Sequence, residues 1–179
     1  MRGNVIRSGL HVKSAVLIHH IFVSPGHNFY GRHGQPPGTH PTVDLATARC
    51  RAGRGIEGDR FYDYKPDYAG QVTFFDWDAY TGVKAAMAVP ALRPDAFRRN
   101  IIVSGMALND LIGVTFTLGG VAFEGMVEAK PCAWMDRVVA PGAERWLRGR
   151  GGLRARVLAD GELSRGSAEL VVPGLLALG

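Results

Sequence analysis

The feature that most restricts the fold of this chain is a pair of glycines, Gly119-Gly120, between two runs of alternating apolar residues. The runs read VTFTL and VAFEGMVEA. A two-residue period is typical of strands that bury one face, and glycines accept the positive φ values of a tight turn. We therefore predict an antiparallel hairpin here, and a second hairpin turn at Asp160-Gly161 for the same reason.

Short runs of this kind recur along the chain. We predict strands at 15–24, 71–75 and 101–103, and a short helix that Asp76 or Asp78 caps at its N-terminus. The 24 glycines and 10 prolines follow no repeat period, which favours many turns and short elements. The expected fold class is mainly β with some α/β mixing: a closed or nearly closed barrel with a few short peripheral helices.

Length and composition limit the organisation of the chain. At 179 residues it can bury one good core, so we expect a flexible segment at 1–14 and a single domain at 15–179. No tract reaches the roughly 18 apolar residues of a membrane span, and two cysteines are too few for a secreted disulfide framework. We expect a cytoplasmic protein without a signal peptide.

The formal net charge is +5, and arginine supplies most of the 21 basic side chains. The planar guanidinium pairs well with phosphate and carboxylate, so the composition suits a phosphorylated ligand, a nucleic-acid backbone or solubility alone. The sequence has no lysine tract and no row of aromatic residues for base stacking, which disfavours nucleic acid.

Cys132 lies in AKPCAWMD, directly after a predicted strand. Pro131 keeps Lys130 out of the helical region, so the thiol should lie at a strand-to-helix junction. A helix N-terminus and Lys130 would both lower the thiol pKa and favour thiolate, the form that binds metals and carries sulfur. The alternative is a buried, inert cysteine, which is the interpretation we favour for Cys50 inside its alternating strand.

Two further motifs are candidate ligand contacts. In RRNI, 98–101, an extended backbone would place Arg98 and Asn100 on one face, as a phosphate clamp, with Arg99 on the other. An edge strand with solvated charges explains the motif equally well. In GIEGDR, 55–60, Asp59 can fold back on backbone amides, although a plain surface turn has the same pattern.

A loop at 24–41 contains His27, His33 and His40 among several glycines and prolines. The histidine spacing matches no common zinc pattern, and no cysteine pair accompanies it. Solvated loop histidines are the favoured interpretation, with His27 and His33 kept as candidates to line a ligand site.

Taken in order, five motifs resemble the MOSC family, the domain found at the C-terminus of molybdenum cofactor sulfurases. They are GIEGDR, RRNI, LNDLIGVTFTLGG, AKPC and GLRARVLADGELSRG. The resemblance covers roughly residues 15 to 172. It implies a MOSC-type closed β-barrel and a function tied to the molybdenum cofactor (molybdopterin).

The resemblance also implies roles for particular residues. Cys132 corresponds to the expected molybdenum ligand or sulfur carrier, and Arg98 and Asn100 to the residues that hold the pterin phosphate. The turn of Gly58, Asp59 and Arg60 corresponds to a family signature that would shape the pocket.

The chain departs from the family pattern after this turn, where Arg60 leads into FYDYKPDYAGQ. It also lacks the partner domain of the sulfurases, so we expect neither pyridoxal phosphate binding nor cysteine desulfurase activity.

Three functions are consistent with these residues, and the sequence leaves open whether the protein is an enzyme. The first is a molybdenum cofactor-binding protein that carries or transfers sulfur through Cys132, with Lys130 close to the thiol. The second is a cofactor-dependent reductase of N-hydroxylated or similar small substrates, with Cys132 as metal ligand. The third is a basic nucleic-acid-binding barrel. The expected partners are a molybdopterin-type phosphorylated ligand and a sulfur donor or redox partner protein, without a membrane.

Overall fold

A computed structural model describes residues 11–28, 36 and 38–173. Within them the strands are β1 (His11–Val23), β2 (Val43–Asp44), β3 (Thr47–Arg51), β4 (Gly55–Ile56), β5 (Val72–Asp76), β6 (Ile101–Ser104), β7 (Thr115–Leu118), β8 (Val121–Glu128), β9 (Leu153–Val157), β10 (Gly161–Ser164) and β11 (Gly166–Pro173). The α-helices are α1 (Trp77–Ala86), α2 (Ala133–Val138) and α3 (Ala143–Trp146), and single 3₁₀ turns lie at Pro94–Phe97 and Leu108–Leu111.

The strands close into a barrel. Hydrogen bonds join them in the order β11-β7-β8-β9-β5-β6-β1, and β1 pairs again with β11 to close the ring. The closing register runs from His11 opposite Pro173 to Ile18 opposite Gly166. The predicted mainly β barrel is confirmed. β1 begins at His11, within the segment expected to be flexible, and residues 1–10 lie outside the described residues.

The two predicted hairpins have different outcomes. β7 and β8 pair with Leu118 opposite Val121, and Gly119 and Gly120 both have positive φ, so the first hairpin is confirmed. The hairpin at Asp160-Gly161 is wrong, because β10 pairs with β3 and not with β9.

The reason for this second outcome lies in the side chain of Asp160. Its carboxylate accepts hydrogen bonds from the Ala52 N–H at 2.8 Å and from the Arg51 guanidinium at 3.1 Å. These bonds direct the chain toward β3, where Gly161 pairs with Cys50. β10, β3 and β4 therefore form a small separate sheet.

Alternation along β5 divides the apolar side chains between two cores. Phe74 points into the barrel, where its ring packs edge-on against Phe116 and Phe123 at centroid distances of 5.9 and 5.3 Å. Phe75 points outward and stacks on Phe97 at 4.6 Å, beneath the helices. Asp76 then caps α1 by accepting the Asp78 N–H, as predicted. Within the described residues, no helix has the length and apolar character to cross a bilayer.

Two glycines, Gly151 and Gly152, allow the chain just before β9 to pack closely against neighbouring backbone. A Cβ on Gly151 would lie 2.5 Å from the Ala129 carbonyl oxygen, and one on Gly152 would lie 2.1 Å from the Phe74 carbonyl oxygen. Gly152 also has a φ of +100°. The absence of side chains at both positions lets the backbone approach β5 and the segment that leads from β8 to Cys132.

We expect Gly152→Ala to be much more destabilising than Gly149→Ala. Both glycines have positive φ, which costs an alanine about 1–2 kcal/mol, but a Cβ on Gly149 meets nothing within 4 Å. At Gly152 the backbone contact adds about 1–3 kcal/mol of overpacking. Urea denaturation of both variants measures the difference, and equal losses would contradict the close packing at Gly152.

Candidate functional site

Cys132 lies where the chain passes from β8 to α2. β8 ends at Glu128, and Cys132 is the N-cap of α2, with extended backbone at φ −144° and ψ 176°. Its thiol is exposed, whereas Cys50 is fully buried. Burial raises the pKa of the Cys50 thiol to about 12, which keeps it protonated and inert as predicted. The chain thus has one accessible thiol, at the predicted junction.

The thiol opens into a cavity of about 440 Å³, called here the basic cavity. Its lining includes six cationic side chains: Arg60, Lys65, Arg98, Arg99, Lys130 and Arg154. The remaining lining residues are Phe61, Tyr64, Tyr68, Gly70, Thr73 and Cys132. No aspartate or glutamate is among these lining residues. Such a cavity attracts anions strongly, because low-dielectric walls focus the field of charges of one sign.

Arg98 reaches the cavity in an unexpected backbone conformation. It follows the 3₁₀ turn at Pro94–Phe97 and is left-handed, with φ 58° and ψ 34°, while its N–H donates to the Asp95 carbonyl at 3.0 Å. The extended backbone expected from position 98 is not formed there, and strand β6 begins at Ile101, as predicted. Because the backbone turns here, Arg98 and Arg99 line the same cavity, and the prediction that they face opposite ways is wrong.

Arg99 connects three segments around the cavity. Its guanidinium donates to the carbonyl oxygens of Phe97 at 3.4 Å, Ala129 at 2.5 Å and Gly151 at 3.0 Å. Burial, followed by the nearby charges of Arg154 and Arg98, lowers the pKa of Arg99 to about 10, so the group stays protonated at neutral pH. The bond to Ala129 fixes the segment that leads to Cys132.

Asn100 does not line the basic cavity. Its side chain is buried, and its Oδ1 accepts from the N–H and the hydroxyl of Thr73. Its Nδ2 donates to the Phe22 carbonyl and to Asp59, each at 3.1 Å. Both amide hydrogens and both lone pairs are thus used within the protein. Arg98 and Asn100 do line a second, much smaller pocket together, of about 20 Å³, but only Arg98 also reaches the basic cavity.

The GIEGDR turn folds as expected and carries Arg60 to the cavity. Gly58 is exposed and has a φ of 83°. Asp59 is buried, and its carboxylate accepts the N–H groups of Phe61 and Ser24. Arg60 donates to Asp59 at 3.4 Å and to the Arg98 carbonyl at 3.3 Å. Gly58 and Asp59 therefore shape the turn, and Arg60 is the member that lines the cavity.

The residues after this turn form an aromatic wall of the cavity. The ring centroids of Phe61, Tyr64 and Tyr68 lie 5.0 to 5.5 Å apart, and the ammonium of Lys65 lies 5.4 Å from the centroid of Tyr68. This wall could not be predicted from the sequence, because the segment departs from the family pattern. Its signal was the density of aromatic residues in FYDYKPDY.

The histidine loop contributes less to the site. The ring of His27 packs edge-on against the ring of Phe61, which lines the cavity, at a centroid distance of 5.2 Å, and His27 is not itself a lining residue. His33 lies outside the described residues. Among described residues, no group of three or more His, Cys, Asp or Glu side chains could hold a metal ion.

Lys130 lines the same cavity as the Cys132 thiol, as expected from its position in AKPC. Arg99 and Arg154 were not among the expected site residues. Arg154 is opposite Thr73 in the pairing of β9 with β5, so only the strand order brings it to the cavity.

Comparison with known proteins places this geometry in a family. The model of the MOSC domain matches residues 32–168. In fold, the chain is similar to the YuaD protein from Bacillus subtilis, with a TM-score of 0.70, 17% identity, and coverage of 92% of this chain and 100% of that one. It is also similar to YiiM from Geobacillus stearothermophilus, with a TM-score of 0.63, 18% identity, and coverage of 92% and 79%.

YiiM from Escherichia coli has a TM-score of 0.56 and 16% identity, with coverage of 72% of this chain and 64% of that one. At these identities the likeness concerns the fold alone. Among curated proteins, none matches the chain by sequence. The family model spans most of the chain, and the barrel agrees with it: this protein belongs to the MOSC domain family.

Proposed function

We propose that this protein binds the molybdenum cofactor in the basic cavity and carries or transfers sulfur through Cys132. The family is associated with molybdenum cofactor binding. The observation that carries the proposal is the cavity itself, in which one exposed thiol lies among six cationic side chains.

The donor groups of the cavity fit this cofactor. Molybdenum in a dithiolene environment is a soft centre that favours thiolate, and the phosphate of the cofactor favours guanidinium and ammonium donors. The cavity supplies both kinds of group and no lining carboxylate that would repel an anion. Bound there, the cofactor would supply a metal centre able to take up sulfur or to exchange electrons.

The residues of the cavity divide into two sets by what they do. Arg60 and Arg99 are largely engaged with carboxylate or carbonyl oxygens of the protein and hold the cavity in shape. Arg98, Lys130 and Arg154 would bind the anionic groups of the ligand. Arg98 also lies over the Trp134 ring, 5.4 Å from its centroid, which orients the guanidinium.

Sulfur transfer requires a persulfide on Cys132. The bond between Sγ and the outer sulfur breaks, the acceptor gains that sulfur and is formally oxidised by two electrons, and Cys132 returns as thiolate. The exposure of the thiol allows a sulfur donor to reach it.

A second candidate function is reduction of a small N-hydroxylated substrate, with Cys132 as a permanent metal ligand and a redox partner as electron source. The aromatic wall favours this alternative. Tyr64 is 46% exposed at the cavity, which leaves a surface where a small planar molecule could bind beside the thiol.

Metal and sulfur contents distinguish the two candidates. We expect protein from a host that makes the cofactor to contain labile sulfane sulfur that is lost in Cys132→Ser and kept in Cys50→Ala. About one molybdenum per chain, lost in the same variant, would instead favour the reductase. Molybdenum and cyanide-labile sulfur are measured on each purified protein, and their absence from the wild type would contradict both functions.

Arg98→Ala should weaken retention of the cofactor roughly 10- to 100-fold, since hydrogen bonds to charged groups are worth about 1.5–3 kcal/mol. Arg93→Ala is the matched control, because Arg93 also flanks the 3₁₀ turn but is 78% exposed and paired with Asp95. Equilibrium dialysis against cofactor measures the loss. Equal retention by both variants would show that Arg98 is not part of the site.

A nucleic-acid function would be favoured instead if the protein bound DNA with an affinity that falls steeply as salt concentration rises.

A further inference from the structure

Among the described residues, three cations of the basic cavity have no anionic partner. Lys65, Lys130 and Arg154 form no ion pair with any described carboxylate. They come from separate parts of the chain, namely the segment after β4, the segment before Cys132, and β9. Unpaired like charges that converge on one cavity repel each other, and a bound anion relieves this repulsion.

The electrostatics around Arg99 agree with this arrangement. Burial, followed by the positive charges of Arg154 and Arg98, lowers the pKa of Arg99, while a charge on Cys132 acts in the opposite direction. Cys132 therefore lies close to the same cluster of guanidinium groups. An anion bound beside the thiol would lie within the field of these cations.

We propose that the basic cavity accepts a small anionic sulfane-sulfur donor of the thiosulfate type, which loads Cys132 with sulfur. The inference rests on the proposed sulfur-carrying role and names the class of substrate that supplies it. The cavity has the two features that such a reaction needs, an accessible thiol and several unpaired cations beside it.

The reaction is a single displacement at sulfur. The Cys132 thiolate attacks the outer sulfur of thiosulfate, a new bond forms between Sγ and that sulfur, and the sulfur–sulfur bond of thiosulfate breaks. Sulfite leaves with the bonding electron pair, and Cys132 becomes a persulfide anion. Total charge is conserved, and no oxidant or reductant is required.

The cavity cations reduce the charge repulsion that opposes this displacement. A thiolate and a thiosulfate dianion repel each other in water, and the departing sulfite is again a dianion. Lys130 and Arg154 both line the cavity that contains the thiol, so they can offset the repulsion on approach and stabilise the leaving group. A neutral sulfur donor would gain nothing from them, so we expect a preference for anions.

Formation of thiocyanate from thiosulfate and cyanide tests the proposal directly, since cyanide removes sulfur from the persulfide and regenerates the thiolate. We expect wild-type protein to release sulfite and to form thiocyanate catalytically. Cys132→Ser should form none, whereas Cys50→Ala should match the wild type because that thiol is buried in the core. Mass spectrometry should find 32 Da, the mass of one added sulfur, on the peptide that contains Cys132.

The role of the cations is tested by Arg154→Ala against Arg145→Ala. Arg145 is exposed on α3 and does not line the cavity, so both variants lose one charge but only one changes the site. We expect the KM for thiosulfate to rise about tenfold in Arg154→Ala and to change little in the control. In Arg154→Ala, anionic iodoacetate should also lose its rate advantage over neutral iodoacetamide in the alkylation of Cys132. A KM equal in both variants would overturn the role of the cavity cations.

A cysteine desulfurase persulfide serves as a second sulfur donor and separates this inference from the function on which it rests. If that donor loads Cys132 and thiosulfate does not, the inference fails and the carrier function stands. If neither loads Cys132, the carrier function fails as well. Loading by thiosulfate with the expected dependence on Arg154 supports both.

Discussion

The structure around the thiol depends on one buried polar junction, the side chain of Asn100. It binds Thr73 on β5, Phe22 at the end of β1 and Asp59 in the GIEGDR turn, with every hydrogen-bonding group satisfied. A buried amide left partly unsatisfied would be costly, so these segments have one arrangement that satisfies all of them. The junction thereby fixes the turn that carries Arg60 to the cavity.

The same junction explains the placement of the two neighbouring arginines. Asn100 is held in the sheet by backbone bonds to Thr73 and Phe22, and Phe97 is held by stacking on Phe75. Only two residues span the distance between these fixed points, and the first of them adopts a left-handed conformation. Both guanidinium groups consequently face the cavity, one bound to carbonyl oxygens and one lying over Trp134.

Convergence of like charges on a cavity costs stability unless a ligand compensates it. The lowered pKa of Arg99 is one sign of this cost, since burial and two neighbouring guanidinium groups all disfavour its charged form. Three bonds to backbone carbonyls retain the charge nevertheless. The fold therefore maintains a cluster of positive charge beside an exposed thiol.

The β class, the Gly119-Gly120 hairpin, the cap of α1 and the position of Cys132 between a strand and a helix could all be predicted from the sequence. These are local properties, set by side-chain period, by glycine at positive φ and by proline geometry. The pairing of β10 with β3, the burial of Asn100, and the presence of Arg99 and Arg154 in the cavity could not be predicted in this way. Those outcomes depend on strand order and on buried hydrogen bonds between distant residues, which no local pattern contains.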